Sequence, residues 1–185
     1  KAANTHLIEE IDRILPIGML SSPQIAYCIL EFKIIENYDL QCLGPATYNM
    51  RLGGRVLSWN NGQKEDYLLD ETEDKNKNIR RILTLRPNSL TFVTTIEKFQ
   101  LPKDIIARFN LKSKFIHKGL LLGTGPIVDP ELHANLLIPL HNFSSNDIDI
   151  EFGEEIISVE FTKTLNPDAV FEKEDCEYVC NKYWE

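Results

Sequence analysis

The chain of 185 residues lacks any apolar run close to the roughly 20 residues that a membrane-spanning helix needs. Its N-terminus also lacks the basic-then-apolar layout of a secretory leader, so a soluble, cytoplasmic protein is expected. The first residue is Lys1, not Met, which fits a fragment or a processed product. Cysteine is scarce: Cys28, Cys42, Cys176 and Cys180 form no C-x-x-C pair and have no histidine at zinc-site spacing. That pattern excludes a recognisable zinc motif and points to free, structural thiols. Basic residues are in the minority, 20 against 28 acidic, for a formal charge of −8. Such a balance argues against general binding to a nucleic-acid backbone, which needs a basic face to displace counterions. A small anionic ligand stays open, because a few lysines and backbone N–H groups can hold phosphate on an acidic protein. No internal repeat and no low-complexity linker divides the chain, and 43% hydrophobic content suffices for one sizeable core.

Apolar positions Leu7, Ile8, Ile11, Ile14 and Leu15 recur at helical spacing, which predicts an amphipathic helix over 5–15. Ser21-Ser22-Pro23 then supplies a cap and an early proline for a second short helix whose buried stripe is Ile25, Ala26, Ile29 and Leu30. From Phe32 onward the period changes. Short β-branched and aromatic runs occur at 33–36, 48–52, 55–59, 82–85, 90–95, 105–111, 119–122, 136–140, 148–152 and 156–162. Many short strands of this kind indicate a mainly β sandwich or barrel. Asp147-Ile-Asp-Ile-Glu-Phe152 alternates most clearly and reads as a half-buried strand whose acids face water, not as a metal cluster. The polar stretch 62–78 reads as a mobile loop or a hairpin excursion.

Several segments taken in order carry a resemblance. Met19-Leu-Ser-Ser-Pro-Gln-Ile25, Gly44-Pro-Ala-Thr-Tyr-Asn-Met-Arg-Leu-Gly53, the run from Pro87 to Arg108, Val128-Asp-Pro130, Asn142 and Phe152-Gly-Glu154 are similar to the motifs of the dCTP deaminase and dUTPase superfamily. The closest similarity is to dCTP deaminase-like proteins. The resemblance implies a dUTPase-like distorted β-barrel or sandwich of β-clip type with short N-terminal helices. It also implies a homotrimer with pockets between subunits and a pyrimidine deoxynucleotide as ligand. It divides the chain into an N-terminal helical extension over 1–18, the deaminase-like domain over 19–165 and a C-terminal tail over 166–185.

Against the deaminase pattern, Leu111-Lys112-Ser113-Lys114 stands where the family has Gly-Arg-Ser-Ser, and His117 stands in place of a second Arg. Lysine neutralises phosphate as a point charge without arginine's bidentate fork. The family's proton-shuttling Glu lies ten residues beyond the turn Asp; counted from Asp129, that position is Pro139, which has no ionisable group. His141, two residues on, has a suitable intrinsic pKa but sits nearly 7 Å further along a strand. Asn49 stands where a dUTPase has Asp, and the tail has no glycine-rich phosphate loop. The stretch Gly123-Thr-Gly125-Pro126, which reads the base in the family, is one residue shorter than usual.

By resemblance, then, Asp129, Ser113 and His141 are the catalytic candidates, and Lys112, Ser113, Lys114, His117, Asp129 and Asn49 are the nucleotide-binding ones. Magnesium enters only with bound nucleotide phosphates, and no resident metal is implied. Each candidate has a plain alternative. Asp129 can be an ordinary turn residue, Ser113 a strand-end hydrogen-bond donor, and His117 and His133 structural or exposed. Lys112, Lys114 and Lys118 alternate as on one strand face, which can simply be solvated. Three function classes result: an enzyme of deoxynucleotide metabolism, deaminase or a dUTP diphosphatase using Asp129 to activate water; a non-catalytic nucleotide-binding or regulatory module; and a trimeric scaffold without a ligand.

Overall fold

The computed structural model describes residues 15, 17–60, 63–73, 79–123 and 126–164. The helix expected over 5–15, except Leu15, and the tail with Cys176 and Cys180 lie outside the described residues.

In chain order the elements are β1 (Gly18–Met19), α1 (Ser22–Phe32), β2 (Ile35–Glu36), a 3-10 turn (Leu40–Cys42), β3 (Tyr48–Asn60), β4 (Gln63–Leu68), β5 (Thr72–Glu73) and β6 (Ile79–Arg80). They continue with β7 (Ile82–Leu85), β8 (Leu90–Phe99), β9 (Ile105–Leu111), α2 (Ser113–Ile116), β10 (Leu120–Leu122), β11 (Ile127–Val128), β12 (Asn135–Asn142), β13 (Ile148–Glu151) and β14 (Glu155–Lys163). The main sheet runs β10-β12-β8-β3-β14-β9-β11, with β1, β2 and β4 attached to β14, β8 and β3. The mainly β architecture expected from the strand pattern is therefore present.

Helix α1 opens with the Ser21 N–H donating to Oε1 of Gln24 at 2.8 Å, half of a reciprocal cap. It ends on Lys33 in the left-handed region (φ 54°), a common helix stop. Its buried positions are Ile25, Cys28 and Ile29. The expected stripe is thus corrected: Leu30 is exposed and Ala26 half-buried, because i, i+3, i+4 spacing from Ile25 selects Cys28 and Ile29.

Strand β8 alternates strictly, burying Thr91, Val93, Thr95, Glu97 and Phe99. The two runs expected at 48–52 and 55–59 are one strand, β3. One edge of it pairs with β14 over Tyr48–Arg51 and then with β4 over Arg55–Asn60, while the other edge pairs with β8. Between Leu52 and Val56 its register against β8 shifts. A Cβ at Gly53 would stand 2.8 Å from the carbonyl oxygens of Thr94 and Thr95, so only glycine lets the two backbones approach this closely. The polar segment after β3 is a hairpin excursion over its described residues, with β4 on β3 and β5 on β6. Strand β13 buries Ile148 and Ile150 and exposes Asp149 and Glu151, as its alternation requires.

The buried acid on β8 is fully partnered. Glu97 accepts from the Arg51 backbone N–H at 2.8 Å and from Arg51 Nε at 2.6 Å, and the Tyr48 hydroxyl lies 3.4 Å away. The guanidinium also donates to the Asn37 carbonyl at 2.7 Å. Asn135 donates from Nδ2 to the Glu97 carbonyl at 3.1 Å, tying β12 into the same knot. Burial, with the Glu97 charge adding and the Asp39 N–H opposing, pushes the Tyr48 phenol well above its ordinary range.

Two expectations follow. Breaking a buried ion pair from one side leaves the partner's charge unmatched. Glu97→Gln should accordingly cost about 3 kcal/mol in urea unfolding, the low end because Arg51 keeps some exposure. Burial also pushes the Cys28 thiol up to about 12, with Asp104 adding and Lys163 opposing. Folding therefore holds its proton more tightly. Iodoacetamide should not label Cys28 at pH 8 until the chain unfolds, and the stability contributed by this thiol should fade as pH rises from about 9 towards 12.

Candidate functional site

Two ends of strand β9 carry the candidate residues. At its C-terminal end the chain leaves the sheet at Lys112, whose backbone N–H donates to the Ile156 carbonyl at 2.9 Å, and winds into α2. The lysines expected to alternate on a strand face are not on a strand: Lys114 lies in α2, Lys112 caps it and Lys118 follows in the turn. Phe115 explains the change. Its side chain is fully buried beneath the turn, and Lys114 Nζ and Lys118 Nζ lie 4.9 and 5.7 Å from its ring centre. A helical turn anchors this ring and leaves its polar neighbours outside. Ser113 and His117 are exposed on the same turn, where the His117 N–H donates to the Ser113 carbonyl at 2.9 Å.

Asn49 belongs to this end of the sheet. It stands opposite Ser158 on β14, which in turn faces Asn110 on β9, and its Oδ1 accepts from the Ser158 hydroxyl at 2.8 Å. Two rows further on, Glu155 of β14 stands opposite Arg51. Its carboxylate lies 3.1 Å from Lys112 Nζ, and Glu154 Oε1 lies 2.8 Å from Lys114 Nζ. These two glutamates went unrecognised as partners of the lysines. A pairing across some 40 residues of sequence leaves no spacing signal, and the only cue was two acids entering a strand next to the Phe152-Gly153 turn.

Asp129 is elsewhere. It follows β11, whose Val128 stands opposite Ala107 of β9. Ser113 comes six residues after Ala107, roughly 15–20 Å along an extended strand. Within one chain Asp129 and Ser113 therefore do not converge.

Strand β12 carries the remaining candidates. Pro139 and His141 share its less buried face. The His141 ring packs on Phe143 at 4.4 Å between ring centres, and His141 stands opposite Leu121 on one side and Leu90 on the other. The Gly123 N–H donates to the Pro139 carbonyl at 2.9 Å. Proline has no N–H to return the bond, so β10 ends at Leu122. A Cβ on Gly123 would run into the Pro139 ring. Buried Asn142 closes this edge: its Nδ2 donates to the carbonyls of Leu85 and Asn146, both at 2.8 Å, and its Oδ1 accepts from the Ser144 N–H. The neighbouring Phe143 N–H donates to the Gly119 carbonyl at 2.9 Å, fixing the exit of the α2 turn. Among the described residues no group of three His, Cys, Asp or Glu side chains is placed to hold a metal ion, and no helix is long and apolar enough to cross a membrane.

Comparison with known proteins bears directly on this arrangement. The profile of the family described as dCTP deaminase-like matches residues 19–164. A dCTP deaminase of Thermococcus kodakarensis is 28% identical over 134 residues, covering 72% of this chain and 78% of that protein. A probable deoxyuridine 5'-triphosphate nucleotidohydrolase of Sulfolobus islandicus rod-shaped virus 1 is 36% identical over 95 residues, 51% of this chain and 59% of its own. Among solved structures, the 2'-deoxycytidine 5'-triphosphate deaminase of Agrobacterium tumefaciens superposes with a TM-score of 0.62 at 15% identity. It covers 80% of this chain, which spans 49% of that protein. The fold is therefore the one expected from the motifs.

The Gly123–Pro139 contact can be tested without any ligand. Overpacking of this kind costs about 1–3 kcal/mol, so Gly123→Ala should lower the unfolding free energy measured in urea by that amount. Adding Pro139→Ala should recover most of the loss, and a double-mutant cycle would read the coupling.

Proposed function

This chain belongs to the dCTP deaminase-like family, a family of nucleotide-processing enzymes, and from that membership we propose that it binds a pyrimidine deoxynucleoside triphosphate without deaminating it. The observation that carries the reading is Pro139. In the resemblance, a carboxylate at this position passes protons between water, ring nitrogen and departing amine. Proline can do neither half of that exchange, and here its ring packs on Gly123. His141 lies on the same face but is directed against Phe143.

Binding is assigned to the β9 end of the sheet. Lys112 and Lys114 supply two ammonium groups as point charges for phosphates, with Ser113 and His117 beside them and Asn49 on β3, across β14 from β9. Asp129 supports a homotrimeric assembly. Its separation from Ser113 along β9 means that a pocket using both draws them from two copies, with pockets between subunits. Magnesium would accompany the nucleotide through its phosphates, where hard oxygen ligands suit it. A cytoplasmic location belongs to the same proposal, since the buried free thiols Cys28 and Cys42 suit a reducing compartment.

A second reading rests on Asp129 and the viral nucleotidohydrolase similarity. In it Asp129 orients a water for attack on the triphosphate, and pyrophosphate is released.

Ligand at 100 times its Kd stabilises the folded state by about 2.7 kcal/mol. For a chain of this size that is a rise in melting temperature of roughly 5–10 °C. Such a rise with dCTP or dUTP, without ammonia or pyrophosphate, is the expected result. Lys112→Gln with Lys114→Gln should remove most of the shift. Ammonia release lost in His141→Asn would move the proton transfer to His141 and overturn the reading. Pyrophosphate release lost in Asp129→Asn would establish the diphosphatase instead. No shift with any nucleotide would leave the scaffold.

A further inference from the structure

We infer that Glu154 and Glu155 are built-in competitors for the phosphate site: their carboxylates occupy Lys114 and Lys112 as phosphate oxygens would, and a nucleotide must displace both. The inference rests on the assignment of these lysines to phosphate and adds how access to them is governed.

The two pairs are separate. Glu154 Oε1 lies 2.8 Å from Lys114 Nζ, and Glu155 Oε2 lies 3.1 Å from Lys112 Nζ. A carboxylate presents the same hard, anionic oxygens to an ammonium group as a phosphate does. The glutamates are also held in place by their backbone. The Leu52 N–H donates to the Glu154 carbonyl at 2.9 Å, and the Glu154 N–H donates to the Glu151 carbonyl at 3.0 Å. Glu154 Oε2 accepts from the Glu151 N–H at 3.2 Å. Glu155 is set by its register opposite Arg51, whose own side chain is committed to Glu97. The main chain therefore keeps both acids beside their lysines even when the side chains swing away.

All four side chains keep between a quarter and a half of their exposure, so the pairs open readily in water. An incoming phosphate then meets two lysines and two nearby carboxylates, a local charge that sums to zero. Removing the carboxylates while keeping the lysines makes the same site net positive by two. The pairing has a further consequence for salt. Salt screens the attraction of a polyanion to a net-positive site, whereas a site whose charge sums to zero has less attraction to screen.

The test compares the wild-type chain with Glu154→Gln, Glu155→Gln and the double variant, using dCTP and inorganic tripolyphosphate as probes in calorimetric titrations at two salt concentrations. Affinity for both probes should rise at least fivefold in the double variant, with a steeper salt dependence than in the wild type. Lys114→Gln should cancel the gain from Glu154→Gln. Glu154 also closes its turn, so unliganded melting is recorded, and Glu155→Gln carries the comparison should Glu154→Gln unfold. Equal affinities and salt slopes in a binding wild type and its variants would overturn this inference alone. Variants that bind where the wild type does not would support it and overturn the claim that the resting protein binds nucleotide. Binding by none of them would sink both.

Discussion

A single buried carboxylate sets the geometry on which the site depends. Glu97 comes from the inward face of β8 and is met by the backbone and side chain of Arg51 on β3. Stripped of water, that charge is tolerable because the Arg51 backbone N–H and Nε both donate to it. The same contact fixes where along β3 the sheet changes partners, next to Gly53, whose missing side chain allows β3 and β8 to touch. Arg51 then stands opposite Glu155, and Glu155 meets Lys112. An interaction in the core thereby reaches the surface lysines through one strand pair.

The other determinant is the proline in β12. A proline inside a ladder removes a donor, and here the loss falls where β10 would have continued beside Pro139. The backbone at Gly123 is bonded once to Pro139 and no further across that pair. Pro139 thus ends a strand and shapes the wall it belongs to.

Much of the architecture was legible because strands with one buried face must alternate. In β13 burial follows the sequence pattern, whereas in β8 burial alternates although the sequence does not, with Thr91, Thr95 and Glu97 buried and Leu90 exposed. The alternation of Lys112, Lys114 and Lys118 misled because polar spacing carries no packing requirement of its own; the ring of Phe115 decided the local conformation. Leu30 misled for a related reason: it is apolar, but it falls one position outside the helical stripe that starts at Ile25. Glu97 had no clear signal either, since the face of β8 that it shares with Thr91 and Thr95 is not apolar. Its partner Arg51, 46 residues earlier, had none.

By itself the sequence determined the class of fold, the positions of most of the longer strands along the chain, the absence of an ionisable group at Pro139 and the family to which the motifs point. Those properties are local: each is written in residue type and spacing over a few positions. Only the tertiary structure decided that Asp129 and Ser113 lie at opposite ends of β9, that Glu154 and Glu155 sit on the candidate lysines, and that Glu97 anchors Arg51. Each of these depends on strand register between distant segments. Register follows from how all the buried side chains pack together, a condition that no short stretch of the chain contains.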